Sequence, residues 1–186
     1  IIAKTLFTEL GAEVHMLSDK PNGININENC GSTHLEILKN FVIQNNLDLG
    51  IAFDGDADRC LCVDELGNEV DGDQIMAICA LDMIQSKKLE KNTVVGTILT
   101  NGGIVECLKN NGISFVATKV GDRYILEEML REKYNFGGEQ SGHIIFKDFA
   151  TTGDGELTSL QILKILSKQK KKLSELKQVM KKYPQV

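Results

Sequence analysis

Three carboxylates in a row of alternate residues, Asp54-Gly55-Asp56-Ala57-Asp58-Arg59, are the strongest chemical signal in the sequence. They follow the largely apolar run 47–53, and Gly55 gives the backbone freedom to curl, so three carboxylate oxygens can converge on one point. Without a cation they would repel one another, and hard oxygen donors select Mg²⁺, Mn²⁺ or Ca²⁺ over softer metals. Arg59 is placed to share an anion with such a metal, which is how phosphoryl groups are held. The calcium-loop pattern is nearly met, with Asp54, Asp56 and Asp58 at its first, third and fifth positions and Glu65 at its twelfth. Its sixth position, however, holds Arg59 where a sharp turn needs glycine, and the flanks read as strands. An acidic solvated turn is the plainest competing reading.

A second concentration of polar groups is Gly137-Gly138-Glu139-Gln140-Ser141-Gly142-His143. Glu139 can accept hydrogen bonds from sugar hydroxyls, Ser141 can donate or accept, and His143 can exchange a proton near neutral pH. Lys119-Val120-Gly121-Asp122-Arg123 lies where a strand ends and a helix starts, the usual ligand position in α/β sheets. A structural reading competes there, with Asp122 as N-cap and Arg123 as a surface charge. Thr152-Gly153-Asp154-Gly155 reads as a turn and cap with no chemistry of its own.

The elements that must position these loops alternate. A helix over 1–10, a short strand at 12–17 and a loop at 18–31 precede a helix that Thr33 and Glu36 open as a capping box and that runs to about Asn45. Strands at 47–53 and 60–64 flank the acidic turn. Beyond residue 70 the pattern restarts, with helices at 73–85, 103–109 and from Asp122 to 134, strands at 93–99, 113–120 and 143–146, and a loop at 137–142. Lys-rich helices at 155–169 and 173–182 follow. Such alternation predicts α/β layers with mixed, mostly parallel sheets, divided into units at 1–68 and 69–186.

Composition narrows the function classes. The 186 residues, 42% hydrophobic and 25% charged, suffice for a real core in one or two domains. A net charge of -5 argues against a nucleic-acid partner. No apolar run approaches the roughly 18–20 residues that span a bilayer. Only Arg59, Arg123 and Arg131 are arginines, few for gripping anions. Five cysteines, an odd number with no C-x-x-C, suit a reducing compartment. The first residue is Ile, and Ala3, Leu6, Phe7 and Leu10 start an amphipathic helix with no cap, which suggests a piece of a longer protein.

Together these motifs resemble the α-D-phosphohexomutases. Asp54-Gly-Asp-Ala-Asp-Arg59 is similar to that family's metal loop, and Gly138-Glu-Gln-Ser-Gly-His143 to its sugar-binding loop. Pro21-Asn-Gly-Ile-Asn-Ile-Asn27, Val70-Asp-Gly-Asp-Gln74, Lys119-Val-Gly-Asp-Arg-Tyr124 and Thr152-Gly-Asp-Gly155 resemble the branch acting on glucosamine phosphate. The resemblance implies consecutive α/β/α domains, most of the family's second and all of its third, within a four-domain cytoplasmic enzyme of bacterial amino-sugar supply. It implies Mg²⁺ held by Asp54, Asp56 and Asp58, a hexosamine phosphate substrate, and phosphoryl exchange between the 6- and 1-positions through a bisphosphorylated sugar. Glu139 and Ser141 match residues that grip sugar hydroxyls. Arg59 and His143 match catalytic-site positions, and His143, Lys119, Asp122 and Arg123 match substrate-binding loops. The family's serine loop ends in Ser-His-Asn-Pro, but the prolines here are Pro21 and Pro184 and neither fits, so the phosphoserine nucleophile is absent from this sequence. The phosphate clamp of the fourth domain is absent too, and an isolated chain is expected to be inactive. Mannose- or glucose-phosphate mutases, or a non-catalytic cation-binding module, are the alternatives.

Overall fold

The computed structural model describes residues 2–185. Helix α1 (Ala3–Glu9) turns Ala3 and Phe7 inward. Ile1, within the expected helix, lies outside the described residues. The strand expected at 12–17 does not form. Val14, Met16 and Leu17 are half-buried there, but no neighbouring strand supplies a hydrogen-bonded partner for the backbone.

Helix α2 (Glu36–Gln44) follows, without the expected capping box. The Thr33 hydroxyl instead sits 3.0 Å from His34 Nδ1, and Leu35 takes the cap position with no side-chain bond. A local hydroxyl partner has outcompeted the helix end.

Strands β1 (Leu49–Phe53), β2 (Cys60–Asp64) and β3 (Glu69–Val70) form an antiparallel meander in which Phe53 faces Cys60. Both faces are covered. Ala52 and Leu61 meet Leu35, the cap of α2, and Leu38 within it, while Cys60, Cys62 and Val70 join a larger core with Ile75, Ile162 and Leu173. Gly50 permits this close approach, since a Cβ there would stand 2.8 Å from Leu38 Cγ. Double coverage explains why β2 lacks the polar alternation of a solvent-facing strand.

The remainder comprises α3 (Gly72–Gln85), a 3₁₀ turn (Glu90–Asn92), β4 (Thr93–Thr97), α4 (Gly102–Asn110), β5 (Ser114–Thr118), α5 (Asp122–Glu132), β6 (Phe136–Gly138), β7 (Ile144–Phe146), α6 (Gly155–Gln169) and α7 (Leu173–Leu176). A second 3₁₀ turn (Lys177–Val179) ends the helix that was expected to reach 182. A capping box of Asp71 and Gln74, not foreseen from the sequence, opens α3. At α5 the cap is Gly121, whose φ of 124° suits glycine alone, and Asp122 is the first helical residue, not the cap.

The second sheet runs β5-β4-β6-β7, with β4 parallel to β5 and β6, and β7 antiparallel to β6. Val94, Phe136, Ile144 and Phe146 pack with Ile75, Ile104 and Leu108; Val95 and Ile145 pack with Ile125 and Met129 of α5. This is an α/β/α layer. The expected predominance of parallel pairing holds only around β4. In the first sheet the connections at 54–59 and 65–68 are far too short for a parallel crossover, which takes a dozen or more residues.

The loop expected at 137–142 also needs correction, because Gly137 and Gly138 belong to β6. A Cβ on Gly137 would lie 2.6 Å from the Val95 carbonyl oxygen, so glycine here serves strand packing rather than turning. The end of β2 is tied to the last helical turns: Lys177 Nζ meets the buried Asp64 at 2.5 Å, and Ser174 of α7 bonds Glu65. The expected division after residue 68 falls between β2 and β3, which pair within one sheet. Among the described residues no helix is long and apolar enough to cross a membrane.

Candidate metal centre

The apolar strand β1 ends at Phe53 and delivers the acidic loop to the surface. One oxygen each from Asp54, Asp56 and Asp58 lies within 4.8 Å of the others. The loop is drawn into this curl by its own backbone: the Arg59 N–H donates to Asp54 Oδ1 at 3.1 Å, and Ala57 N–H donates to the Asp54 carbonyl. Ala57 has φ 60°, a left-handed position that the loop's other contacts hold in place. Both flanks are strands, as the departure from a calcium loop required.

The Arg59 Nε lies 3.7 Å from Asp54 Oδ2 and 3.8 Å from Asp58 Oδ1, too far for hydrogen bonds, and its side chain is 44% exposed. It lines a cavity of about 400 Å³ with Asp54, Gly55, Asp56, Asn27, Ser32 and Thr33. Asn27, Ser32 and Thr33 were not singled out as site residues. The signal for Asn27 was the Asn-rich stretch at 22–29, which reads as an ordinary turn until the fold lays Ile26 and Asn27 over Gly55.

The sugar-loop candidate arrives from the other sheet. Arg59 and His143 form an isolated antiparallel bridge, and Cys60 N–H donates to the Gly142 carbonyl at 3.1 Å. A Cβ on Gly142, with φ 93°, would stand 2.4 Å from the Cys60 oxygen, so the two loops touch backbone to backbone. The Gly121 N–H donates to Glu139 Oε1 at 3.1 Å, which fixes the half-buried carboxylate at the helix α5 end. Ser141 is exposed.

His143 is 3% exposed. Its Nε2 accepts from the Gly153 N–H at 3.0 Å, and its Nδ1 lies 3.1 Å from Asp58 Oδ2. Both ring nitrogens of His143 are thus engaged within the chain and the ring is covered. Asp122 Oδ2 approaches Nε2 only to 3.8 Å. Lys119 stands 5.8 Å from the Tyr124 ring centre. Arg123 pairs with Glu127 on the outer face of α5 and does not join the centre.

Electrostatics agree with a cation site. Burial raises the Asp58 carboxyl above its ordinary value; the His143 ring opposes the rise, and Asp54 and Asp56 add to it. Asp58 Oδ1 is buried without a hydrogen-bond partner. An all-oxygen donor set with one orphaned carboxylate oxygen fits a hard divalent cation such as Mg²⁺.

Fold and site thus define an α/β/α chain with a carboxylate cradle beside a polar loop. The phosphoglucomutase/phosphomannomutase alpha/beta/alpha domain II matches residues 2–67 and domain III residues 71–183, so the chain belongs to that family. A phosphoglucosamine mutase of Clostridium tetani is 57% identical over 180 residues, covering 97% of this chain and 40% of that protein. One from a Thermoanaerobacter species is 57% identical over 185 residues, covering 100% of this chain and 41% of the relative. The chain spans about 40% of the length of these curated relatives. Among solved structures, a phosphoglucomutase/phosphomannomutase family protein from Burkholderia thailandensis superposes with TM-score 0.82 at 22% identity, over 96% of this chain and 39% of that one. The Aspergillus fumigatus N-acetylphosphoglucosamine mutase, in complex with GlcNAc-6P and magnesium, does so with TM-score 0.73 at 19% identity, over 98% and 43%.

Proposed function

We propose that this chain is the metal- and sugar-holding part of a phosphoglucosamine mutase, an isomerase that interconverts glucosamine 6-phosphate and glucosamine 1-phosphate. The observation that carries the reading is the convergence of Asp54, Asp56 and Asp58 with the buried, unpartnered Asp58 Oδ1. The naming of relatives at 57% identity supports glucosamine over mannose or glucose.

In this reading Asp54, Asp56 and Asp58 hold Mg²⁺, which when bound neutralises phosphoryl charge. Arg59 lines the cavity, where its guanidinium would pair with oxygens of a bound phosphoryl group. Glu139, held at Oε1 by Gly121, offers its other oxygen to sugar hydroxyls, and exposed Ser141 offers a donor and an acceptor. Lys119, just before α5, and Asp122, the first residue of α5, face the same substrate in this reading. The phosphoryl donor is a phosphoserine outside this chain. It passes its phosphoryl group to one sugar hydroxyl, and the phosphoryl at the other position returns to the serine. The work lies in the cytoplasm, in supply of peptidoglycan amino sugars.

The test is a mutase assay on the parent protein that contains this chain. Glucosamine 6-phosphate is expected to be isomerised with a higher kcat/KM than mannose or glucose 6-phosphate. Preference for either of the latter overturns the substrate assignment, and turnover by the isolated chain overturns the need for an external nucleophile.

A further inference from the structure

The turn at 152–155 caps α6 through Asp154, whose carboxylate accepts from Leu157 N–H at 2.8 Å. Capping leaves its two glycines unexplained. Neither Gly153 nor Gly155 has a positive φ, so neither is there for backbone freedom. Both are there for space. A Cβ on Gly153 would lie 2.6 Å from His143 Cε1 and 2.7 Å from the Asp58 carbonyl oxygen; on Gly155 it would lie 2.5 Å from the Arg59 carbonyl oxygen. The Gly155 N–H donates to the Ala57 carbonyl at 2.8 Å, so the turn is pressed against the underside of the acidic loop.

The Gly153 N–H has a sharper consequence. An imidazole nitrogen that accepts a hydrogen bond carries no proton, so a ring accepting at Nε2 keeps its proton on Nδ1. That proton points to Asp58 Oδ2, 3.1 Å from Nδ1. In the opposite tautomer a nitrogen lone pair would face a carboxylate oxygen, and the Gly153 N–H would face an N–H. One backbone donor therefore selects the form of the ring that can hold Asp58. With Oδ2 occupied, Oδ1 is the oxygen left buried and free.

We propose that Gly153 is a positioning residue of the metal centre: through the tautomer of His143 it turns Asp58 Oδ1 to the cation. The relay runs Gly153 N–H, His143 ring, Asp58 carboxylate, and it makes a turn in one sheet's loops a determinant of cation affinity in the other's. The inference rests on the reading of Asp54, Asp56 and Asp58 as a Mg²⁺ site.

Calorimetric titration of Mg²⁺ into the 186-residue chain tests it, with thermal unfolding followed in parallel. His143→Asn places an amide donor near the Nδ1 position, whereas His143→Gln places its amide near Nε2 and removes the donor to Asp58. The Gln variant is expected to bind Mg²⁺ about tenfold more weakly or worse, the usual cost of losing a partner of a metal ligand, and the Asn variant to stay close to wild type. Gly153→Ala is expected to weaken binding like the Gln variant. Asp64→Asn, remote from the site, is expected to lower the melting temperature without moving Mg²⁺ affinity, which separates positioning from general destabilisation. Equal affinities for the wild type and the His143→Gln variant, or equal losses in both His143 variants with melting intact, overturn the inference while leaving the metal site standing. Should Gly153→Ala not fold, the His143 pair decides. Absence of any Mg²⁺ binding by the wild type overturns the metal reading and this inference with it.

Discussion

His143 Nδ1 lies 3.1 Å from Asp58 Oδ2, although 85 residues separate them in sequence. The acidic loop leaves the first sheet and the histidine enters the second, so neither sheet owns the junction. The isolated bridge between Arg59 and His143 locks the same junction through the backbone. The conformation of the acidic loop and that of the loop at 139–143 are consequently one mechanical unit.

Cation binding to the native carboxylates alone should stabilise the chain by linkage. At a Mg²⁺ concentration about ten times the dissociation constant the gain is about 1.4 kcal/mol, read as a rise in melting temperature that chelator reverses. Asp58→Asn is expected to abolish the rise.

The buried Asp64 is fully enclosed and meets Lys177, with Asn68 N–H also donating to it. Burial alone would push its carboxyl up, but the Lys177 and Asn68 bonds outweigh burial and hold it below its ordinary value. A depressed folded value means stability present above the unfolded range near 3.8 and lost as pH falls through the folded value. Lys177→Met leaves a buried carboxylate unpaired and is expected to cost about 3 kcal/mol near neutral pH, shrinking in acid, by denaturant titration.

Asp73 behaves oppositely. Burial raises its carboxyl from 3.8 to about 6, the nearby Asp71 adds to the rise, and the Asn101 N–H and Lys182 oppose it. The folded chain therefore holds this proton more tightly than the unfolded one, and the penalty of ionising it is fully expressed above about pH 6. Asp73→Asn keeps the acceptor for Asn101 N–H and is expected to raise stability by up to about 2 kcal/mol near pH 8, with no gain near pH 3.5.

Thiol chemistry should discriminate among the cysteines. Cys60, Cys62, Cys79 and Cys107 are buried, and burial pushes the Cys79 and Cys107 thiols up, as the Cys62 contact and then burial do for Cys60. Cys30 is half-buried. A disulfide reagent is expected to titrate one thiol, Cys30, in the native chain and all five only after unfolding; rapid labelling of Cys60 or Cys62 contradicts the packing.

Elements with local punctuation were legible beforehand. Strand β2 was read with the bounds it has, because apolar residues run between an acidic turn and Leu66-Gly67-Asn68. Helix α6 was read equally well, with bounds 155–169, after the turn and cap at 152–155. Elements whose reason is a neighbour were not. Gly137 and Gly138 look like a turn until Val95 is beside them, Thr33 looks like a cap until it finds His34, and residues 12–17 alternate like a strand but have no strand to pair with.

The sequence by itself determined the convergence of three carboxylates, because alternate carboxylates around a glycine after an apolar strand meet by local geometry alone. It also determined that the polar loop at 139–143 carries sugar-compatible groups. Only the tertiary structure decided what His143 does. Its role depends on a donor at Gly153 and an acceptor at Asp58, and a ring with two different nitrogens takes its function from whichever partners folding brings to each.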